Sequence, residues 1–415
     1  MDSSERRRQF GAYLARLRRQ ARMTQPELAD ALCAATGTHS VTRSEVSRWE
    51  RGVRVPGSWL SALAHVLGTP LADLDQAAAY GRGEDRAVLP GASAILAQLL
   101  PRDGGPLARA VVSTGRRLGA EDVESLAARV HALRLADDVL SGGDIVAPAF
   151  EELRRAVRLY REATFTDEVG RALLVQVGEV AQIAGWVASD AGRRKDAERA
   201  YRLGIDAARQ ADDKILVAHL AGSLAYQHTN NGRMHEGAEL AQAAVDEAGP
   251  DVPPVARALF LDRVAWARTR VGESQGAMRA LGEAHEALNS DGPESPRWAY
   301  WVSAAELDIM DARAYTELRR PLRAVPLLTD VLSRYDVTHA RELALYRSWL
   351  AIALLDANEP EQAADEASRV LTASEALSSR RTAVRAQAVL DRMQPFRHVP
   401  EIREVLKDHA HLLLR

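Results

Sequence analysis

Residues 24–37 read TQPELADALCAATG, and residues 42–52 read TRSEVSRWERG. In the first stretch Thr24 and Glu27 stand three apart around Pro26, the pattern of an N-cap hydroxyl and a reciprocating carboxylate with proline in the first turn. A helix therefore starts at Gln25, turns Leu28 and Leu32 inward and runs to about Thr36, where Gly37 ends it. Thr42 and Glu45 repeat the capping pattern and open a short helix that carries Val46 and Trp49 and stops at Gly52. Upstream, Leu14, Leu17 and Ala21 fall at helical spacing in a basic segment ending at Arg22. Downstream of Pro56, another helix places Trp59, Leu60, Leu63 and Leu67 on one face, and Leu71 and Leu74 continue the apolar set. The order predicts a five-helix domain with a turn between two capped helices.

These residues resemble the phage-repressor-like helix-turn-helix family, the XRE or Cro type. The resemblance rests on Leu14-x-x-Leu17-Arg18, Met23-Thr24-Gln25-x-Glu27-Leu28-Ala29, Val46-Ser47-Arg48-Trp49-Glu50-Arg51-Gly52 and Arg54-x-Pro56, and covers about residues 9–75. Extra residues around Cys33 to His39 lengthen the second helix and its turn, as in members of actinobacterial type. The resemblance implies that the third helix lies in the major groove of an operator, with Arg43, Ser44, Ser47 and Arg48 against base edges. Arginine can clamp O6 and N7 of guanine bidentately, whereas serine is a permissive donor and acceptor. Thr24, Gln25, Arg51 and Arg54 are then left to contact phosphates, fixing register without reading sequence. Arg18 and Glu50 look functional by charge, but the resemblance implies a structural salt bridge between the first helix and the end of the third. Cys33 and Trp49 read as core.

Composition and charge agree with this division. With 47% hydrophobic and 27% charged residues among 415, general disorder and membrane residence are both excluded as expectations. Aromatic residues are 5% of the chain while alanine, leucine, arginine and glutamate dominate, a helix-forming composition. The whole-chain charge of −3 hides an asymmetry, because residues 1–75 carry a net +3 and the remainder −6. Only the N-terminal part has a balance that suits a polyanion. A single cysteine, Cys33, leaves no intrachain disulfide or thiolate cluster and fits a reducing compartment. No apolar stretch is expected to reach bilayer length, so no membrane partner is expected and a cytoplasmic location is.

Catalytic signatures are missing from the sequence. There is no P-loop, no G-x-S-x-G elbow and no dinucleotide glycine fingerprint, and His285-Glu286 lacks the second histidine of a zincin. His219, His228 and His409 are scattered and read as surface or satisfied core groups. The expectation is a protein that is not an enzyme, with no catalytic residue, no metal site and no cofactor.

Residues 81–92 carry three glycines, a proline and mixed charge, the chemistry of a linker. The expected organisation is a DNA-binding domain at 1–80, a linker at 81–92, a helical connecting region at 93–165 and a repeat domain at 166–415. In the connecting region Val123, Leu126, Val130 and Leu133 mark one helix face, closed by Ser141-Gly142-Gly143. Beyond it, Trp186, Tyr226 and Trp266 are 40 residues apart, as are Gly192, Gly232 and Gly272. Seven residues before each glycine stands Gly185, Ala225 or Ala265, and five after it Ala197, Gly237 or Ala277. Ala351, Asn358 and Ala363 repeat the pattern, and a degenerate unit is squeezed between about 296 and 335. This period predicts stacked helical hairpins whose small residues let paired helices approach closely.

The array resembles tetratricopeptide repeats over about 165–395, with HEAT-like arrays as the alternative. The overall expectation is an all-α protein: the helix-turn-helix domain followed by an α-solenoid. The tetratricopeptide register implies a concave groove lined by the first helix of each hairpin, with Gln182, Trp186, Tyr226, Asn230, Asp262 and Trp266 as effector-groove candidates. The opposing reading, which is preferred, packs the aromatic column between neighbouring repeats and gives Asn230 to a turn. The expected function is a homodimeric bacterial transcriptional regulator whose repeat domain senses a peptide, a small molecule or a partner protein. The alternative is a repeat-based interaction scaffold or a signalling inhibitor in which DNA binding is secondary.

Overall fold

The computed structural model describes residues 3–21, 23–38, 40–84, 96, 99, 106–108, 115–139, 142–334, 340–376 and 379–414. The chain divides into two units, Met1–Ile95 and Leu96–Arg415. Both are all-α, and among the described residues the one extended pairing is an isolated bridge between Arg117 and Thr164.

The first unit holds α1 (Ser3–Gln20), α2 (Gln25–Thr36), α3 (Arg43–Glu50), α4 (Leu60–Leu67) and α5 (Leu71–Arg82). The Thr24 and Glu27 capping box forms: the Thr24 hydroxyl accepts from the Glu27 N–H, and the Glu27 carboxylate accepts from the Thr24 N–H at 2.7 Å. That backbone donor holds the Glu27 carboxyl below its ordinary pKa. Gly37 closes α2 in the left-handed region at φ 68°. The second expected box forms only by half. The Thr42 hydroxyl accepts from the Glu45 N–H, but the Glu45 carboxylate turns to Arg48 at 2.8 Å and to Arg54 at 3.4 Å, since two guanidinium groups offer more than one backbone donor.

Phe10, Leu14, Leu28, Leu32, Val46, Trp49, Leu63 and Leu74 are fully buried and form this unit's core, with Leu17, Cys33, Trp59 and Leu67 packed half-buried against it. Leu71, expected in that set, is 41% exposed at the start of α5. The helix also runs further than the sequence suggests, to Arg82, so the expected linker begins inside it. Residues 85–92 of that linker lie outside the described residues.

The second unit opens with α6 (Ala120–Val139) and α7 (Gly142–Glu162). Leu126 and Val130 are fully buried against the next helix, with Val123 and Leu133 half-buried beside them. Gly142, expected to help close α6, instead begins α7, and most of 93–114 lies outside the described residues. Five hairpins follow: α8 (Asp167–Asp190) with α9 (Arg194–Gln210), α10 (Lys214–Asn230) with α11 (Met234–Ala248), α12 (Pro254–Arg270) with α13 (Ser274–Leu288), α14 (Ala304–Glu317) with α15 (Pro321–Arg334), and α16 (Ala340–Asp356) with α17 (Pro360–Ala376). α18 (Arg380–Met393) and α19 (Pro400–Asp408) end the run.

The periodic glycines sit in the turn of each hairpin with positive φ: Gly192 at 78°, Gly232 at 87° and Gly272 at 82°. Such a conformation is open to glycine without a steric penalty. Asn358 fills the corresponding place at 62° and Arg319 at 56°. The small residues before the turns are there for contact, since a Cβ on Gly185 would stand 2.5 Å from the Tyr201 ring. One sequence expectation is corrected here. By length and composition α8 could cross a membrane, with a mean hydropathy of 1.3 over eighteen residues, but 67% of that window is buried inside the unit as the inner helix of the first hairpin.

The first helix of each hairpin faces inward, and the ends of the array meet. The Ser379 hydroxyl, just before α18, donates to Asp190 at the end of α8 at 3.1 Å. Arg341 of α16 donates to the Asp137 carbonyl oxygen at 2.8 Å, and its other terminal nitrogen approaches the Asp137 carboxylate at 3.2 Å. These contacts span roughly 200 residues of sequence and close the inner helices around a cavity.

Candidate nucleic-acid interface and interior cavity

On α3, Val46 and Trp49 point into the core, which leaves the opposite face to Arg43, Ser44, Ser47, Arg48 and, one turn on, Arg51. Arg43, Ser44, Arg48 and Arg51 are exposed and Ser47 is half-buried. All five line one shallow recess of about 210 Å³. Four of them are the residues expected to meet bases, and the helical spacing of 1, 4, 5 and 8 residues from Arg43 is what brings them onto one face.

The helix is held by the bridge that the sequence resemblance implied. Arg18 of α1 meets Glu50 with two parallel bonds, Nε to Oε1 at 2.6 Å and Nη2 to Oε2 at 3.0 Å, while its Nη1 donates to the Met23 carbonyl oxygen at 2.7 Å. The two side chains are 13% and 8% exposed. A bidentate, mostly desolvated pair of this kind fixes orientation as well as distance. Gln25, expected at a phosphate, donates its side-chain amide to Glu50 Oε2 at 2.6 Å and so belongs to this lock. Thr24 is exposed with its hydroxyl engaged by Glu27, and Arg54 is exposed and paired with Glu45.

In the second unit the aromatic column is both packed and cavity-lining. Trp186 stacks on Tyr226 with ring centroids 5.8 Å apart, Tyr226 leans on Trp266 at 6.5 Å, and Trp266 meets Trp349 edge-on at 5.8 Å. Tyr226 and Trp266 are buried, and all four rings border a cavity of about 390 Å³. Asn230, also on its wall, accepts from the Trp266 indole N–H at 3.1 Å. Gln182 and Asp262 do not line the cavity. Gln182 is buried between Arg134, which donates to it at 2.8 Å, and Ser223, and Asp262 is buried beside Arg263.

Sequence reasoning placed Arg270 on the groove, where it lines the cavity, but missed three other arginines. Arg313 stands above Trp266 at 4.5 Å and donates to the Tyr226 hydroxyl at 2.7 Å, Arg381 reaches the same oxygen at 3.3 Å, and Arg385 lies 3.5 Å over the Trp349 ring. A signal for Arg313 existed. Ala312, Arg319 and Ala324 reproduce the repeat's small residue, turn and small residue at the same offsets, so Arg313 occupies the column position of Trp186, Tyr226 and Trp266. Trp349 had none, because it lies three residues before that position, which Ile352 holds in its repeat. Burial pushes the Tyr226 phenol up, but the guanidinium groups of Arg313, Arg381 and Arg263 outweigh it and hold the pKa at about 7.

Among the described residues no histidine lines the cavity. His219 is buried against the Trp298 ring at 3.9 Å, where desolvation pushes its pKa well down, and His285 pairs with Asp311. Among the described residues no three His, Cys, Asp or Glu side chains gather to hold a metal ion.

Residues 9–77 match a family model described as a helix-turn-helix domain. The N-terminal unit is thus a helix-turn-helix domain, a class of module that binds DNA. No curated protein matches the chain.

Proposed function

We propose that the protein is a sequence-specific transcriptional regulator of the XRE type, acting as a homodimer, whose tetratricopeptide-like repeat domain takes up an effector that alters operator binding. The observation that carries this reading is the exposed face of α3, where Arg43, Ser44, Ser47 and Arg48 stand together on a helix locked by Arg18 and Glu50. A single module of this size buries little DNA surface, so two copies are needed for useful affinity. The division at 1–80, 81–92, 93–165 and 166–415 assigns reading to the first part and sensing to the last. The reading gives the chain no catalytic step and places it in the cytoplasm.

A cavity of about 390 Å³ supports a small-molecule effector over a protein segment, because pockets for drug-sized ligands run from roughly 300 to 1,000 Å³. The test is a footprint of the full chain on DNA upstream of its own gene. Protection of an inverted repeat supports the reading, and no protection at low salt overturns it.

A further inference from the structure

The wall of the cavity carries more positive charge than the protein neutralises. Arg194, Arg270, Arg313, Arg380, Arg381 and Arg385 line it against only Asp190 and Glu317. Glu317 is engaged by Arg270 at 3.1 Å, and Asp190 accepts from the Ser379 hydroxyl through Oδ2 while its Oδ1 is buried without a hydrogen-bond partner. Among the described residues no carboxylate stands in ion-pair reach of Arg313, Arg381 or Arg385. Arg385 Nη2 and Arg313 Nε are buried without a hydrogen-bond partner, although Arg385 Nε reaches the Ser348 hydroxyl at 2.9 Å. A buried guanidinium donor left unmatched is costly, and the cost is relieved by an acceptor that arrives with negative charge.

Tyr226 supplies part of that charge when it ionises, but it is one oxygen shared by Arg313 and Arg381. Burial, with Arg313 and Arg270 nearby, pushes Arg385 down to about 9 even though Glu317 works the other way. Around the arginines stand Trp186, Trp266 and Trp349, which carry no hydrogen-bond acceptor; Arg313 lies over Trp266 and Arg385 over Trp349, so a ligand ring meets their remaining faces and edges.

We propose that this cavity binds a small organic phosphate, a phosphate group joined to a planar ring, with the charged group among Arg313, Arg381 and Arg385 and the ring against the tryptophans. Guanidinium forks match the paired oxygens of the phosphate, and the ring replaces water on the aromatic wall. The proposal deepens the reading of the repeat domain as a sensor by giving the chemical class of its effector.

The test uses the full chain and three probes at matched ionic strength: phenyl phosphate, inorganic phosphate and benzyl alcohol, followed by calorimetry and thermal melting. Phenyl phosphate should bind, raise Tm and exceed inorganic phosphate in affinity by about tenfold, while benzyl alcohol leaves Tm unchanged. Arg385→Met should weaken phenyl phosphate by about tenfold or more, and Arg385→Lys should restore part of the loss. Absence of binding by phenyl phosphate, binding matched by benzyl alcohol, or an Arg385→Met protein that binds like the wild type each overturns the proposal. If a variant fails to fold, the three-probe comparison on the wild type decides alone. Operator binding is measured separately: a protein that shifts DNA but ignores phenyl phosphate fails the proposal and keeps the regulator reading, and one that binds phenyl phosphate but protects no DNA does the reverse.

Discussion

Arg313 on α14 donates to the Tyr226 hydroxyl on α10 at 2.7 Å, across 87 residues of sequence, and both side chains line the cavity. With Arg381 on the same oxygen, the phenolate is favoured over the neutral phenol, so one tyrosine should titrate near pH 7 in the folded protein. A tyrosinate absorbance titration checks this, and the transition should vanish in Tyr226→Phe. The linkage has a definite sign. The folded value lies below the ordinary value of about 10, so between pH 7 and 10 the unfolded chain holds a proton that the folded one has lost. The stabilising effect of Tyr226 should therefore grow as pH rises through that window and be lost as pH falls to 7. Wild type and Tyr226→Phe melting temperatures that stay equally far apart from pH 7 to 9 would contradict it.

The bridge between Arg18 and Glu50 carries a stability prediction. Its side chains are nearly desolvated, so removing one partner strands a charge, and Glu50→Gln or Arg18→Met should cost the first unit about 3–5 kcal/mol. Because two units are present, hydrogen exchange of the α1 to α3 amides is a better readout than one global melt. Protection within 1 kcal/mol of the wild type would mean that the pair is solvated after all.

Trp266→Ala should remove a side chain that is buried, packed against Tyr226 and edge-on to Trp349, and hydrogen-bonded to Asn230, at a cost of about 3–5 kcal/mol. Trp186 is only half-buried, so Trp186→Ala should cost less. Differential scanning calorimetry of the two variants gives the comparison; equal melts near that of the wild type would show that the wall is not held by packing.

Readers and anchors on the helix-turn-helix domain should separate by specificity. Arg43→Ala or Arg48→Ala should cost about 1–3 kcal/mol on the operator and much less on random DNA. Arg54→Ala should weaken both and lower the salt slope by about 1. Titrations at several salt concentrations measure the ratio, and equal losses on both DNAs for Arg43 and Arg48 would reassign the face of α3.

Local chemistry was the legible part of this chain. Thr24 and Glu27, Gly37 and the turn glycines act through their own neighbours, so their spacing alone placed helix ends that the structure reproduces. The 40-residue period placed the hairpins for the same reason. Gln25 went astray because its partner Glu50 comes from 25 residues away, whereas Glu45 was lost to a local competitor, Arg48 three residues on, with Arg54 adding a second guanidinium from nine residues away. The cavity was harder still. Arg381 and Arg385 belong to α18, beyond the last clear repeat, and they reach the aromatic column where the ends of the array meet, as the bond from Ser379 to Asp190 marks. Arg313 could have been found by reading the degenerate repeat through its turn at Arg319, where a non-glycine residue takes the left-handed conformation and hides the pattern.

Whether this chain reads DNA through α3 is decided by footprinting the whole chain on its own promoter beside an Arg48→Ala control. The account predicts protection of an inverted repeat with half-sites separated by one or more helical turns, lost or strongly weakened in Arg48→Ala while the variant keeps its fold. A promoter left unprotected at low salt, or protected identically by the wild type and Arg48→Ala, would contradict it.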